Sequence, residues 1–425
     1  MRPYSVLTLT LLAGCATARS APSPQCDPGN GDITLPDGFC AGVFADHVGE
    51  ARHLVVLSNG DVFVSIDGGR TGNGGGILAL RDTNHDGRAD VQQRFASGGA
   101  TGITWRDGQL YFSTQTTVLR FPVPLGSLTP TGPADTIVWG IPAGGHHSRT
   151  LVLDDSGHLF VNVGSDDNVC LPGGGRHAEQ GMSPCPQLVE RAGIWRYDAT
   201  KTRQRHAVAA RWASGVRNSV GLAWNDEEKA LYGASNGRDV LFQAWPQLYT
   251  KEQGAESPSE EFMKLGRGED YGWPYCYHDH GLGKKLLAPE YGGDHKAVGR
   301  CAPPATAQPV IAFPGHWAPM GLQFYTGTMF PARYRGGAFL AFHGSWNRAP
   351  MPQEGYRVDF IPFGKSGVTG TYETFADGFA GGRFDPGNAR HRPVGLAQGP
   401  DGALFITDDQ AGRIWRVIYV GAATN

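Results

Sequence analysis

The chain has 425 residues, a net charge of −3 and only 18% charged residues, so it carries no field to recruit nucleic acid or an acidic membrane surface. Gly is abundant at 62 residues and Pro high at 29, without a short period. That excludes collagen and disorder and argues for many tight turns between short strands.

The first segment reads as a targeting signal. Arg2 supplies the positive region, Val6 to Leu12 form an apolar stretch too short to span a bilayer, and Leu12-Ala13-Gly14-Cys15 resembles a bacterial lipobox. The expectation is a signal peptide over 1–14, lipidation at Cys15, a small-residue tether over 15–25 and one propeller domain over 26–425. Such a chain is an exported, periplasmic lipoprotein held at the membrane only by its lipid. An ordinary signal peptide with a chance Cys gives the same letters. The remaining cysteines, Cys26, Cys40, Cys170, Cys185, Cys276 and Cys301, are even in number, as disulfides require. Fifteen connectivities are open. Pairing of sequence neighbours (26–40, 170–185, 276–301) is the expectation, each closing an irregular loop, and no C-x-x-C pair points to zinc.

One phrase then recurs along the chain: an apolar strand, a turn rich in Asp, Asn or Gly, and a second strand. It reads "HLVVLSNGDVFVSI", "GITWRDGQLYFST", "TLVLDDSGHLFVNVG", "GLAWNDEEKALYGAS", "GLQFYTGTMFPARYRGGAFLAFHGS" and "GLAQGPDGALFITD". Period-two alternation across a tight turn predicts hairpins. Third strands follow in "TTVLRF", "AGIWRY" and "GRIWRV". With Phe63, Tyr111, Phe160, Tyr232, Leu340 and Phe405 as landmarks, the shortest gaps match a propeller blade of about 40–50 residues. The expected fold is all-β, a six-bladed β-propeller with inserted loops. A two-sheet sandwich would not repeat the phrase six times.

"DTNHDGRAD" places Asp82, Asn84, Asp86 and Asp90 at alternating positions with Gly87 after the third, like the first half of a calcium loop. Position twelve is Gln93 where an EF-hand has Glu, and a hairpin tip has the same composition.

Unusual polar residues fall where strands meet loops. His146, His147 and Arg149 precede the third copy, and Arg217 and Asn218 the fourth. Asn236, Gly237 and Arg238 follow the fourth; His343, Trp346, Asn347 and Arg348 follow the fifth; Arg390 and Arg392 precede the sixth. Equivalent positions of a repeat converge on the axis, so these residues predict one pocket.

"GGHHSRTL…LFVNVGS", "GVRNSVGLAW", "SNGRD", "YGWPYCY", "HGSWNR" and "RHRPVGLA" occur in order. Together they resemble the pyrroloquinoline quinone (PQQ)-dependent sugar dehydrogenases, in particular the sorbosone or pyranose dehydrogenase branch related to soluble glucose dehydrogenase. The resemblance implies oxidation of a sugar or sugar aldehyde, with hydride passing to PQQ and a His removing the hydroxyl proton. Aligned through Leu151, the base falls at His146, with His147 beside it; Arg149 sits one residue earlier than the usual Arg of that loop. Arg217 and Asn218 match the pair that donates to the quinone oxygens. Arg390 and Arg392, two apart on an extended segment, are expected to face the cofactor carboxylates together. The family places a Lys after the fifth blade; here Asn347 and Arg348 stand in its region. His316 and Trp317 match cofactor- and substrate-contacting positions. Calcium is expected with PQQ, held by the main-chain carbonyls of Gly237 and Arg238, with Glu260 and Glu261 resembling ligands of a neighbouring ion.

Two other classes fit a propeller. A calcium-dependent lactonase would need acids lining the channel, whereas these loops are cationic and imidazole-bearing. A secreted, non-enzymatic binding module would have no use for His146 or the arginines. Neither the electron acceptor nor the particular sugar is legible, and no C-x-x-C-H haem site occurs.

Overall fold

The computed structural model describes Met1 and residues 25–68 and 75–421. Cys15 and nearly all of the expected signal and tether lie outside the described residues, as does most of the stretch before Gly76.

Six antiparallel sheets follow one another along the chain. Blade 1 is Ala51–Val56, Val62–Ile66, Gly76–Arg81 and Val91–Phe95. Blade 2 is Ile103–Arg106, Gln109–Ser113, Thr117–Pro122 and Asp135–Trp139, with Gln204–Arg205 added in parallel at its outer edge. Blade 3 is Leu151–Leu153, His158–Val163, Gly193–Asp198 and Arg211–Ser214. Blade 4 is Gly221–Asn225, Ala230–Ser235, Glu260–Lys264 and Ile311–Phe313. Blade 5 is Pro319–Phe324, Ala338–Phe342, Arg357–Ile361 and Glu373–Ala376. Blade 6 is Pro393–Gln398, Leu404–Asp408 and Ile414–Tyr419, and its outer strand is Phe39–Ala45 from the other end of the chain. This pairing closes the ring, in which each blade keeps only a short outer edge.

The six landmark residues all lie on second strands. Those strands are almost uniformly buried, because neighbouring blades cover both of their faces. The core is accordingly divided into wedges between consecutive blades: Phe63 and Ile77 against Leu110 and Phe112, Tyr111 and Val118 against Leu159 and Trp195, and so on round the ring. The last wedge sets Phe405 and Ile414 against Leu54 and Val62. At the axis, space is short. A Cβ on Gly321 would lie 2.1 Å from the Val394 carbonyl oxygen, and one on Gly395 would lie 2.4 Å from that of Arg52. Glycine is the third residue of both inner strands because the backbones touch there.

Two insertions break the repeat. One follows the second strand of blade 3 and is closed by Cys170–Cys185; the other lies between the third and fourth strands of blade 4 and is closed by Cys276–Cys301. Their cysteines share one apolar cluster with Trp273 and Tyr275, so the insertions form a joint cap over one face. Trp273 Nε1 donates to Asn168 O at 3.0 Å and ties them together. Cys26–Cys40 pins the segment before the closing strand. No described helix is long and apolar enough to cross a membrane.

Candidate active site

Loops that enter the inner strands and loops that leave the second strands open on the same face, the one beneath the cap. Backbone bonds stitch them together there. His146 N–H donates to Ser165 O at 3.0 Å, Ser165 N–H to Arg217 O at 2.8 Å, and Asn236 N–H to Asn218 O at 2.9 Å. Gly164 permits the close approach: a Cβ there would lie 2.6 Å from that of His146.

His146 turns Nδ1 onto Ser165 O at 2.9 Å and Ser165 Oγ at 3.1 Å. Ser165 Oγ donates its own hydrogen to Asp167 O at 2.7 Å. Both Ser165 atoms therefore act as acceptors, the ring hydrogen sits on Nδ1, and Nε2 carries a free lone pair. Burial, reinforced by the Arg217 guanidinium, pushes the imidazole down to about 3, so it is neutral at physiological pH. His147 instead approaches only Gly145 O, at 3.3 Å near the surface.

Arg149 does not enter the site. It is fully buried and donates to Gln115 O, His146 O and Pro142 O at 3.0, 2.7 and 2.8 Å, fastening the His146 loop from behind.

Arg217 lies buried and donates to Gly237 O at 2.7 Å, to Asn168 Oδ1 at 3.1 Å and to Asp239 Oδ2 at 3.2 Å. Its Nε has no partner. Asn218 Oδ1 accepts from Asn162 at 3.2 Å. Asp239 emerges as the hub of the cluster. It also accepts from Asn347 Nδ2 at 3.0 Å and lies 3.5 Å from Arg176 and 4.0 Å from His316. Burial would raise this carboxyl, but Arg217, His316, Arg176 and His146 together hold it below its ordinary value. Sequence reasoning passed over it, although it follows Arg238 directly within "SNGRD".

Glu260 reaches under the same loop, accepting from Gly237 N–H at 2.8 Å and Ala318 N–H at 3.2 Å. Burial raises it to about 7. Glu261 points to the other side of its strand and pairs with buried Lys285 at 2.8 Å. The Arg238 side chain is committed to Glu290 at 2.6 Å, which leaves only its carbonyl for the site. His316 is buried, with Nε2 on Gly254 O at 2.9 Å.

The remaining expected residues divide. Arg392 donates to His343 O and Gly344 O at 3.0 and 2.9 Å, beside a buried group in which Asp409 takes His343 Nε2 at 2.7 Å and also pairs with Arg52. This second cluster, again missed in sequence, joins the first through Ala318, whose carbonyl accepts from His343 N–H at 2.9 Å. Arg390 does not face the same way as Arg392. The chain before Pro393 is turn and bend rather than extended, and Arg390 projects outward to Asp32 at 2.8 Å. Arg348 is a buried fastener, bonded to Ala255 O and Gly315 O at 2.8 Å and to Glu256 at 2.6 Å. Trp317 belongs to the core between blades 4 and 5, with Arg357 over its ring at 3.9 Å. Asp82, Asn84, Asp86 and Asp90 form a hydrogen-bonded turn. Asp82 accepts from Gly87 N–H at 2.8 Å, Asn84 from Asp86 N–H at 3.0 Å, and Asp90 from Thr83 N–H at 3.1 Å. Among the described residues no three or more His, Cys, Asp or Glu side chains are grouped to hold a metal ion.

A closed six-bladed propeller, with a buried neutral imidazole, a desolvated arginine and a carboxylate hub gathered at one mouth of its ring, belongs to the class of propellers that carry a polar pocket on the axis. Within that class the chain belongs to the TrAA12-like family, whose model matches residues 33–420, and so to the six-bladed propellers related to PQQ-dependent sugar dehydrogenases. It is 25% identical over 319 residues to the PQQ-dependent pyranose dehydrogenase of Coprinopsis cinerea, covering 66% of this chain and 40% of that protein. It is 29% identical over 279 residues to an uncharacterised protein of Borreliella burgdorferi, covering 64% of this chain and 61% of that one. The chain thus spans less than two thirds of either relative. In structure it is similar to the holo PQQ domain of the C. cinerea pyranose dehydrogenase, with a TM-score of 0.73, 20% identity, and 93% and 98% of the two chains covered. A calcium structure of the Trichoderma reesei AA12 enzyme gives 0.72, 21%, 91% and 97%. At these identities the likeness establishes the shared propeller.

Proposed function

We propose that this protein is a PQQ- and calcium-dependent dehydrogenase that oxidises a sugar or sugar aldehyde, in the pyranose or sorbosone manner, with His146 as general base. The observation that carries the reading is the locked tautomer of His146: a buried, neutral ring with Nε2 free, beside an arginine whose Nε has no partner.

The residues present fit the cofactor in part. PQQ is an anionic quinone, and Arg217, Asn218, Asn347 and Arg392 would hold it; the buried Arg217 Nε–H is a donor still lacking a partner. Arg390 and Arg348, engaged by Asp32 and Glu256, would not contribute. The carbonyls of Gly237 and Arg238 would take the calcium ion, with Glu260 alongside as an acidic oxygen donor. Bound PQQ supplies the two-electron acceptor. His146 Nε2 accepts the substrate hydroxyl proton, Ser165 fixes the ring that receives it, and the buried Arg217 places positive charge where electron density accumulates. The three disulfides suit an oxidising compartment, and lipidation at Cys15 would hold the enzyme at the cell envelope.

The test is reconstitution. Purified apo-protein should reduce a redox dye with sugars only when PQQ and calcium are both added, and failure to bind PQQ in the presence of calcium overturns the reading.

A further inference from the structure

Trp346, 51% exposed, is a large apolar side chain at the edge of the polar cluster. It sits in the loop leaving Ala338–Phe342, directly before Asn347, whose amide reaches Asp239 at 3.0 Å. The loop on either side is rigid. Ser345 is fully buried and its carbonyl accepts from Tyr356 Oη at 2.7 Å, while Arg348 is locked by the carbonyls of Ala255 and Gly315. An indole held on so firm a base is presented to solvent at little entropic cost. Opposite it, Arg176 extends from the loop closed by Cys170–Cys185, with its guanidinium 5.3 Å from the centre of the Trp346 ring and 3.5 Å from Asp239.

We infer that Trp346 is the stacking platform for the pyranose ring of the substrate, and that Arg176 is its displaceable resting occupant; this rests on the dehydrogenase reading above. A pyranose presents a face of C–H groups rimmed by hydroxyls, which matches an aromatic plane surrounded by polar donors. Arg176 is half-exposed, so water competes for its guanidinium and both its stacking and its ion pair with Asp239 are weak. An arriving ring displaces it cheaply, and the freed guanidinium donates to a sugar hydroxyl.

Two measurements test this. Titrating D-glucose, D-galactose, D-mannose and D-xylose into calcium-loaded protein without PQQ should change the tryptophan emission with at least one sugar, and Trp346→Phe should abolish that change. In the reconstituted enzyme, Trp346→Ala should raise KM for that sugar at least tenfold, lower kcat less than threefold and leave PQQ affinity intact, while Trp139→Ala on the outside of blade 2 does none of this. Unchanged emission with all four sugars, an unmoved KM, or a loss of PQQ affinity in place of the KM effect overturns the proposal. If the wild type fails to bind PQQ but its emission still responds to sugar through Trp346, the dehydrogenase reading falls and the platform stands.

Discussion

Arg217 and Asp239 face each other at 3.2 Å, and the same carboxylate takes the Asn347 amide at 3.0 Å, so one acid draws together loops from blades 4 and 5. Removing one partner of a desolvated pair leaves the other charge stranded. Asp239→Asn should therefore lower stability by about 1–3 kcal/mol. Arg390→Gln should cost less than about 1 kcal/mol, because its partner Asp32 is exposed. Urea unfolding of the two variants side by side checks the contrast.

His146→Ala should reduce dye-coupled turnover about 10²–10⁴-fold, the usual contribution of a general base, while His147→Ala stays within about threefold of wild type. Because His146 is pushed down to about 3, the proton-accepting form persists well below the ordinary His range, and no loss of activity from this group is expected near pH 6.5. The same depression makes a stability prediction. The unfolded ring takes up a proton first, so the contribution of His146 to stability is complete above about pH 6.5 and shrinks as pH falls toward about 3. Thermal melts of wild type and His146→Ala across pH 4–8 should converge at the acid end.

Arg149→Met should unfold the His146 loop region or destabilise the whole domain by at least about 3 kcal/mol, since each buried carbonyl left without a donor costs roughly 1–3 kcal/mol. The bonds to Gln115, His146 and Pro142 all fail at once. Arg149→Lys, with one head group for several acceptors, should recover only part of the loss. Calorimetry on the two variants measures it.

Asp359 lies fully buried on the third strand of blade 5 beside Arg357, and burial raises it from 3.8 to about 7. In that interval the folded chain keeps a proton that the unfolded chain has lost, so wild-type stability falls as pH rises from about 4 to about 7. Asp359→Asn removes this slope. The variant should gain on wild type by up to a few kcal/mol between pH 4 and 7.5, read from denaturation midpoints.

The propeller was legible because its signal is local. Strand, Asp/Asn/Gly turn and strand recur six times, and Phe63 and Phe405 occupy equivalent second strands in the first and last blades. The positions of His146 and Arg217 ahead of inner strands were equally readable, since an inner strand starts on the axis whatever its side chains. Arg348 and Arg390 were not. Both lie in loops of the appropriate face, but a guanidinium follows the nearest set of oxygens. Those oxygens come from Glu256 and Asp32, far away in the chain. For Trp317 the sequence left a site role and a core role equally open; the backbone turns its ring into the wedge between blades, toward Phe313 and Phe342.

By itself, then, the order of residues determined the blade count, the turns and which loops share a mouth, because hairpins obey period and turn chemistry within a dozen residues. Only the closed ring decided which of those loop charges meet. Asp239, the carboxylate that organises Arg217, Asn347 and Arg176, acquires that role solely from burial and from partners brought in by three different loops. Electrostatics of that kind depends on distance through the folded interior, which no local pattern encodes.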